Sequence, residues 1–293
     1  MQSPVAAYLD GGKRLHLQHG PIDLIIGVDA PDDHQRQEAF RAAAMRFDGL
    51  LEGLVGELGY LRAQLLPDTP NPADPVARRM AMAARPFCGR HFLTSMIAVA
   101  GAVADEILHA MRAATPLTRA YVNNGGDIAL HLAAGSHYTA AIASHDGLDL
   151  GRARLSAGDG IGGIATSGVY GRSHSLGIAD SVTVLATDAA AADVAATLIA
   201  NQVDLPDHPA IARARASELS PDSDLGDRLV VTCVNPLDPD DRARALHAGA
   251  EAARKMLDAG QIAGAAMFLQ GRYEVVGTLS KSIDPMRKEV LHA

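Results

Sequence analysis

Residues 94–108, Thr94-Ser95-Met96-Ile97-Ala98-Val99-Ala100-Gly101-Ala102-Val103-Ala104-Asp105-Glu106-Ile107-Leu108, form an almost unbroken run of small and apolar side chains. A helix of this composition offers water no polar face, so it must be buried, and its small side chains suit close packing on a sheet. Thr94 or Ser95 caps its start. Asp105 and Glu106 mark where it turns polar, and a carboxylate there either faces solvent or binds something. The rest of the chain therefore has to supply a sheet.

Strand signals flank the run on both sides. Residues 5–27 read as strands: Ala6-Ala7-Tyr8-Leu9, the turn Asp10-Gly11-Gly12, the alternating Arg14-Leu15-His16-Leu17-Gln18-His19, then Ile22-Asp23-Leu24-Ile25-Ile26. His16 and His19, three apart on a strand, face opposite sides and do not share a metal. Beyond the helix come Arg119-Ala120-Tyr121-Val122, Asp127-Ile128-Ala129-Leu130-His131-Leu132, Tyr138-Thr139-Ala140-Ala141-Ile142 and Ser181-Val182-Thr183-Val184-Leu185, with a tight turn over 123–127. The spacing predicts helices over 33–65, from Asp74-Pro75 onward, over 189–202, and from Asp238 to about Leu257. Gly53, Gly56 and Gly59 weaken the later turns of the first, and Arg78 with Arg79 fall on a solvated face of the second. Residues 203–228 are loop-rich, Val230-Val231-Thr232-Cys233-Val234 reads as a strand, and a hairpin turning at Gln270-Gly271-Arg272 ends the pattern. The expected fold is α+β.

Charge and cysteine usage exclude several functions. The net charge of −8, from 26 basic and 34 acidic residues with no dense Lys/Arg run, argues against nucleic-acid binding. Cys88 and Cys233 form no CxxC and sit in no His-rich cluster, which excludes a disulfide framework and a structural zinc site. Cys88 is either a thiol activated by Arg90 and His91 or a small semi-buried residue at a turn. No window of about 18 apolar residues predicts a membrane span, and no signal peptide is visible, so a cytoplasmic location is expected.

Two segments carry chemistry. Asp159-Gly160-Ile161-Gly162-Gly163-Ile164-Ala165-Thr166-Ser167-Gly168 combines small residues, which let backbone N–H groups approach an anion, with two hydroxyl donors. Asp193 and Thr197 stand four apart on a predicted helix, so they share a face and suit a hard cation such as Mg²⁺.

Taken in order, these pieces resemble the ApbE-like superfamily, whose founding members are FAD:protein FMN transferases, and more closely a branch of it once grouped with thiamine-biosynthesis proteins. Gly101-Ala102-Val103-Ala104-Asp105 is similar to the transferases' helix with a nucleotide-contacting Asp. Asn124-Gly125-Gly126-Asp127-Ile128 is similar to their Asn-Gly-Gly-Asp-Ile turn, Ala165-Thr166-Ser167-Gly168 to their Thr-Ser-Gly loop, and Ala192-Asp193 to Thr197 to the helix that binds Mg²⁺. The resemblance implies one ApbE-like (T-fold-like) domain over 1–293, with antiparallel or mixed sheets packed with helices and room for two intimately associated lobes. It implies FAD and Mg²⁺ as cofactors, a small-molecule nucleotide as ligand and a protein acceptor as partner. Cofactor contacts fall on Asp105, Asn124, Gly125, Gly126, Asp127, Thr166, Ser167 and Gly168, and the metal on Asp193 and Thr197.

The departures bear on activity. The transferases carry a Lys before the helix Gly, where this chain has Ala100. Their His-x-x-Asp-Pro-x-Thr-Gly segment is replaced by His174-Ser175-Leu176-Gly177-Ile178-Ala179-Asp180, which keeps a His and an Asp as catalytic candidates and lacks the Asp-Pro-x-Thr-Gly part. Flavin transfer to a protein is thereby disfavoured. The alternative implied by the branch is a diverged enzyme or accessory protein of sulfur or amino-acid metabolism.

Overall fold

The computed structural model describes residues 3–89, 92–143 and 149–281. Its strands are β1 (Val5–Leu9), β2 (Arg14–His19), β3 (Ile22–Asp29), β4 (Arg119–Asn124), β5 (Asp127–Leu132), β6 (His137–Ala143), β7 (Asp149–Ser156), β8 (Gly163–Ser167), β9 (Ser181–Ala186), β10 (Ile211–Arg215), β11 (Leu229–Val234), β12 (Gly264–Leu269) and β13 (Arg272–Gly277). Its helices are α1 (Asp33–Phe47), α2 (Leu50–Gly56), α3 (Leu58–Arg62), α4 (Pro75–Ala84), α5 (Val99–Ala114), α6 (Ala189–Gln202), α7 (Ala216–Leu219) and α8 (Pro239–Asp258). Helices and antiparallel sheets together make the chain α+β, as the sequence pattern requires.

The described residues cluster into two compact units. The first runs to Tyr138 and takes in Ser156–Ala165 and Thr187–Val194. Its sheet is antiparallel in the order β1-β2-β3-β4-β5, and Gly163 and Ile164 of β8 pair with Ala129 and Ile128 of β5. Alternation sets which side faces the helices: Leu15 and Leu17 of β2 and Leu24, Ile26 and Val28 of β3 are buried. Against that face lie α5 and α1, with Phe40, Phe47, Ile107 and Met111 in the core. Each such side chain contributes about 1.5–3 kcal/mol of burial. His19 is buried beside Phe47 while His16 pairs with Asp23 at 2.9 Å, so the two histidines do face opposite ways.

The second unit holds Thr139–Leu155, Thr166–Ala186 and the chain from Ala195. Its β9, β12 and β13 are antiparallel in that order, and α8 packs on β12 and β13. Every residue of β9 and β12 is buried.

Three expectations need correction. The helical stretch over 33–65 is broken into α1, α2 and α3: Gly49 adopts a left-handed conformation (φ 74°) that separates α1 from α2, and Glu57 leaves helical geometry (φ −101°, ψ 8°) between α2 and α3. Part of the loop-rich segment is ordered as β10 and α7, since β10 finds a partner in β11 that its short sequence does not announce. Arg79 does not sit on a solvated face: it bonds Glu106 at 3.2 Å.

Candidate functional site

In the first unit, four sequence-predicted residues gather where α5 and α6 begin. The first residues of a helix have amides without intrahelical partners, so they can bind side chains. Gly101, the third residue of α5, donates its N–H to Asp193 Oδ2 at 3.1 Å. A Cβ at Gly101 would overlap the Ala189 carbonyl, so only glycine lets α5 pass this close to the start of α6. Asn124, buried at the end of β4, donates from Nδ2 to the Ala100 carbonyl at 3.1 Å and ties the β4–β5 turn to the same spot.

Asp105 resolves the choice left open by the sequence in a third way. Its carboxylate faces neither solvent nor a free cleft: Oδ1 accepts the Ala189 N–H at 3.0 Å and Oδ2 the Ala190 N–H at 2.9 Å. Asp188 accepts the Ala191 N–H at 2.8 Å. The opening amides of α6 are thus capped by two carboxylates, and this helix N-terminus has none of them left for a phosphate. Glu106 is likewise buried, and its oxygens accept from Arg46 at 2.8 Å and Arg79 at 3.2 Å.

The Asn124-Gly125-Gly126-Asp127 motif is a two-residue hairpin turn. Gly125 and Gly126 both have positive φ (67° and 113°), and Asn124 and Asp127 pair across it. Gly126 donates its N–H to the Asn123 side chain at 2.9 Å.

The electrostatics centre on Asp193. Burial, then the charge of Asp127, push its carboxyl well above the usual carboxylate range, against the pull of the Gly101 and Ala100 amides, and Asp105 adds to the rise. Asp105 is pushed up to about 6 by burial, with the Ala190 amide opposing and Asp188 reinforcing. A carboxyl raised in this way is relieved either by a proton or by a cation.

In the second unit, Thr166 Oγ1 lies 3.0 Å from Thr183 Oγ1, and Thr197 Oγ1 donates to Ser167 Oγ at 3.4 Å. Gly168 has φ 157°, and a Cβ there would overlap the Asp180 carbonyl, so its backbone approach serves packing. His174 is exposed. Asp180 accepts the Gln270 N–H through Oδ2 and donates its own N–H to the Phe268 carbonyl at 2.9 Å, so its carboxylate supports the β12–β13 turn. Asp193 and Thr197 stand one turn apart on α6.

Sequence reasoning missed Asp188, although an Asp directly before an Ala-rich run is an N-cap signal. It also missed the Arg46–Glu106–Arg79 cluster, whose members lie on three separate helices. Arg90 and His91 lie outside the described residues; Cys88 is half-buried, and burial pushes its thiol upward more than Arg85 pulls it down.

Among the described residues, no group of three or more His, Cys, Asp or Glu side chains is placed to hold a metal ion. Mg²⁺ commonly binds through one or two carboxylates, with waters and ligand phosphates completing its shell. Asp193 fits that pattern: Oδ2 holds the Gly101 amide, the donor is a hard oxygen, and the repulsion from neighbouring acidic charge is relieved by a cation or by a proton.

The family model described as AbpE bacteria matches residues 6–275. The UPF0280 protein MK0206 of Methanopyrus kandleri is 37% identical over 200 residues, covering 68% of this chain and 78% of that protein. A UPF0280 protein of Methanosarcina acetivorans is 32% identical over 194 residues, covering 64% and 73%. Among solved structures, the apo form of Pseudomonas stutzeri flavinyl transferase ApbE aligns over 97% of this chain and 96% of its own, with 12% identity and a TM-score of 0.42. No helix among the described residues is long and apolar enough to cross a membrane.

Proposed function

The chain belongs to the AbpE bacteria family, and on that footing we propose that it binds a flavin nucleotide, FAD or a close relative, together with Mg²⁺. One observation carries this reading. Asp193 is half-buried, is aimed by the Gly101 amide, and has its negative charge opposed by Asp127. A divalent ion relieves that repulsion, and a pyrophosphate supplies the oxygens the protein does not. Thr197 stands one turn on along α6, and within the second unit Thr166 and Ser167 carry hydroxyls of the kind that contact phosphate.

Bound Mg²⁺ would neutralise charge on the phosphates. The chain's own residues do the positioning. Asn124 and Gly101 hold the start of α5, and Asp105 and Asp188 cap α6, which fixes the turn bearing Asp193. The reading stops at binding. Ala100 replaces the transferase Lys, the Asp-Pro-x-Thr-Gly part is absent, and the Asp180 carboxylate is engaged with a hairpin turn. Transfer of FMN to a protein acceptor is therefore not part of the proposal.

A second reading rests on the same bond: a protonated Asp193 that only caps α5 needs no metal. Titrating FAD against the protein by flavin fluorescence, in Mg²⁺ and in EDTA, separates the two. Binding that appears only with Mg²⁺ supports the first, and no binding in either condition removes it.

A further inference from the structure

We propose that the outer edge of β1 and the adjoining stripe of α1 form an interface with a second copy of this chain, joined about a two-fold axis. Strand β1, Val5-Ala6-Ala7-Tyr8-Leu9, ends the sheet order, and among the described residues it pairs with β2 alone. Four of its five residues are exposed although all five are apolar or aromatic, with Val5 at 54% and Tyr8 at 60%. Sheet edges of soluble proteins are usually blunted by charge, proline or a bulge, and β1 has none of these within its span. Such an edge accepts another strand through its unpaired backbone groups. Antiparallel pairing of two identical strands is symmetric, so centring it on Ala7 sets Val5 opposite the second copy's Leu9.

Charge complementarity selects a second copy as the occupant. Helix α1 flanks β1: Tyr8 packs on Phe40 at 6.1 Å between ring centroids, and its hydroxyl donates to Gln37 at 3.1 Å. His34, Glu38, Arg41 and Met45 recur at spacings of four, three and four along α1, which makes one stripe. Glu38 is half-buried and the other three are exposed, Met45 at 72%. Two such helices running antiparallel about the point between Ala39 and Phe40 put Glu38 opposite the second copy's Arg41, and His34 opposite its Met45. Phe40, next to that point, packs on Tyr8, the neighbour of Ala7, and the proposed dimer uses one axis for strand and helix. The chain carries a net charge of −8, so copies repel across a generic face, whereas β1 is neutral and the α1 stripe is self-complementary.

Sedimentation equilibrium on the whole chain tests this. The wild type is expected at twice its 30.5 kDa mass. Glu38→Arg and Arg41→Glu each set like charges face to face and should weaken the dimer by roughly tenfold or more, while the double exchange restores it. Ala7→Lys, which places two ammonium groups at the axis, should give monomer with an unchanged far-UV spectrum. A monomeric wild type overturns the proposal, as does a dimer indifferent to all four variants or a double exchange that fails to recover.

Discussion

Asp105 accepts the Ala190 backbone N–H at 2.9 Å, joining the middle of α5 to the first turn of α6 across 85 positions of sequence. Its other oxygen takes the Ala189 amide, so one buried carboxylate orders the helix that carries Asp193. The position that resembles a nucleotide contact has become a fastening between two helices.

Removing that fastening should be costly. Asp105→Ala leaves two buried amides without acceptors, and a loss of about 2–4 kcal/mol is expected in urea denaturation. A loss within experimental error would show that water replaces the carboxylate and that the fastening contributes little.

The same residue sets a pH dependence. Its folded value of about 6 lies above the ordinary 3.8, so the folded chain binds this proton more tightly than the unfolded chain. Stability from this group is present at low pH and lost as pH rises from about 4 to about 6, by about 2–3 kcal/mol. Glu106 works in the opposite sense: burial opposes its ionisation, yet the Arg46 and Arg79 bonds hold it low. Comparing the wild type with Asp105→Asn across that window isolates Asp105, because Glu106 is common to both. The difference between them should change with pH, and parallel curves would contradict the assignment.

His174 and Asp180 should separate cleanly. His174→Ala, at an exposed loop position, is expected within about 0.5 kcal/mol of the wild type. Asp180→Ala removes the acceptor for the Gln270 amide at the β12–β13 turn and should cost about 1–2 kcal/mol. Equal effects in thermal denaturation would refute the structural role given to Asp180.

The two cysteines give an internal comparison. Burial raises the Cys88 thiol, whereas Cys233 is exposed. Alkylation by iodoacetamide near neutral pH, followed by peptide mapping, should label Cys233 several-fold faster. Preferential labelling of Cys88 would point to an activated thiol and reopen a redox or sulfur role.

Much of this fold is legible in the sequence because local pattern and tertiary role agree. Alternation in 14–19 gives β2, the Gly125-Gly126 pair gives its hairpin, and the Ala-rich segment 189–202 is α6 to the residue. What stays hidden depends on partners far along the chain. Asp105 looks the same whether it faces a nucleotide or the amides of Ala189 and Ala190. Arg79 reads as a surface residue until Glu106 of another helix is brought to it. The four motifs locate the candidate site, yet motif order alone does not reveal that Gly168 makes room for the Asp180 backbone and that Asp188 closes the α6 N-terminus.

The central claim, that Asp193 is placed to hold a cation for a nucleotide, is tested most directly by calorimetry of FAD binding to the wild type and to Asp193→Asn in excess Mg²⁺. Asparagine keeps an acceptor for the Gly101 amide and removes the charge opposed by Asp127, so the variant should fold at least as stably as the wild type. The predicted result is Mg²⁺-dependent binding by the wild type and none by the variant. Equal FAD binding by both proteins, or binding by the wild type that persists in EDTA, would contradict it.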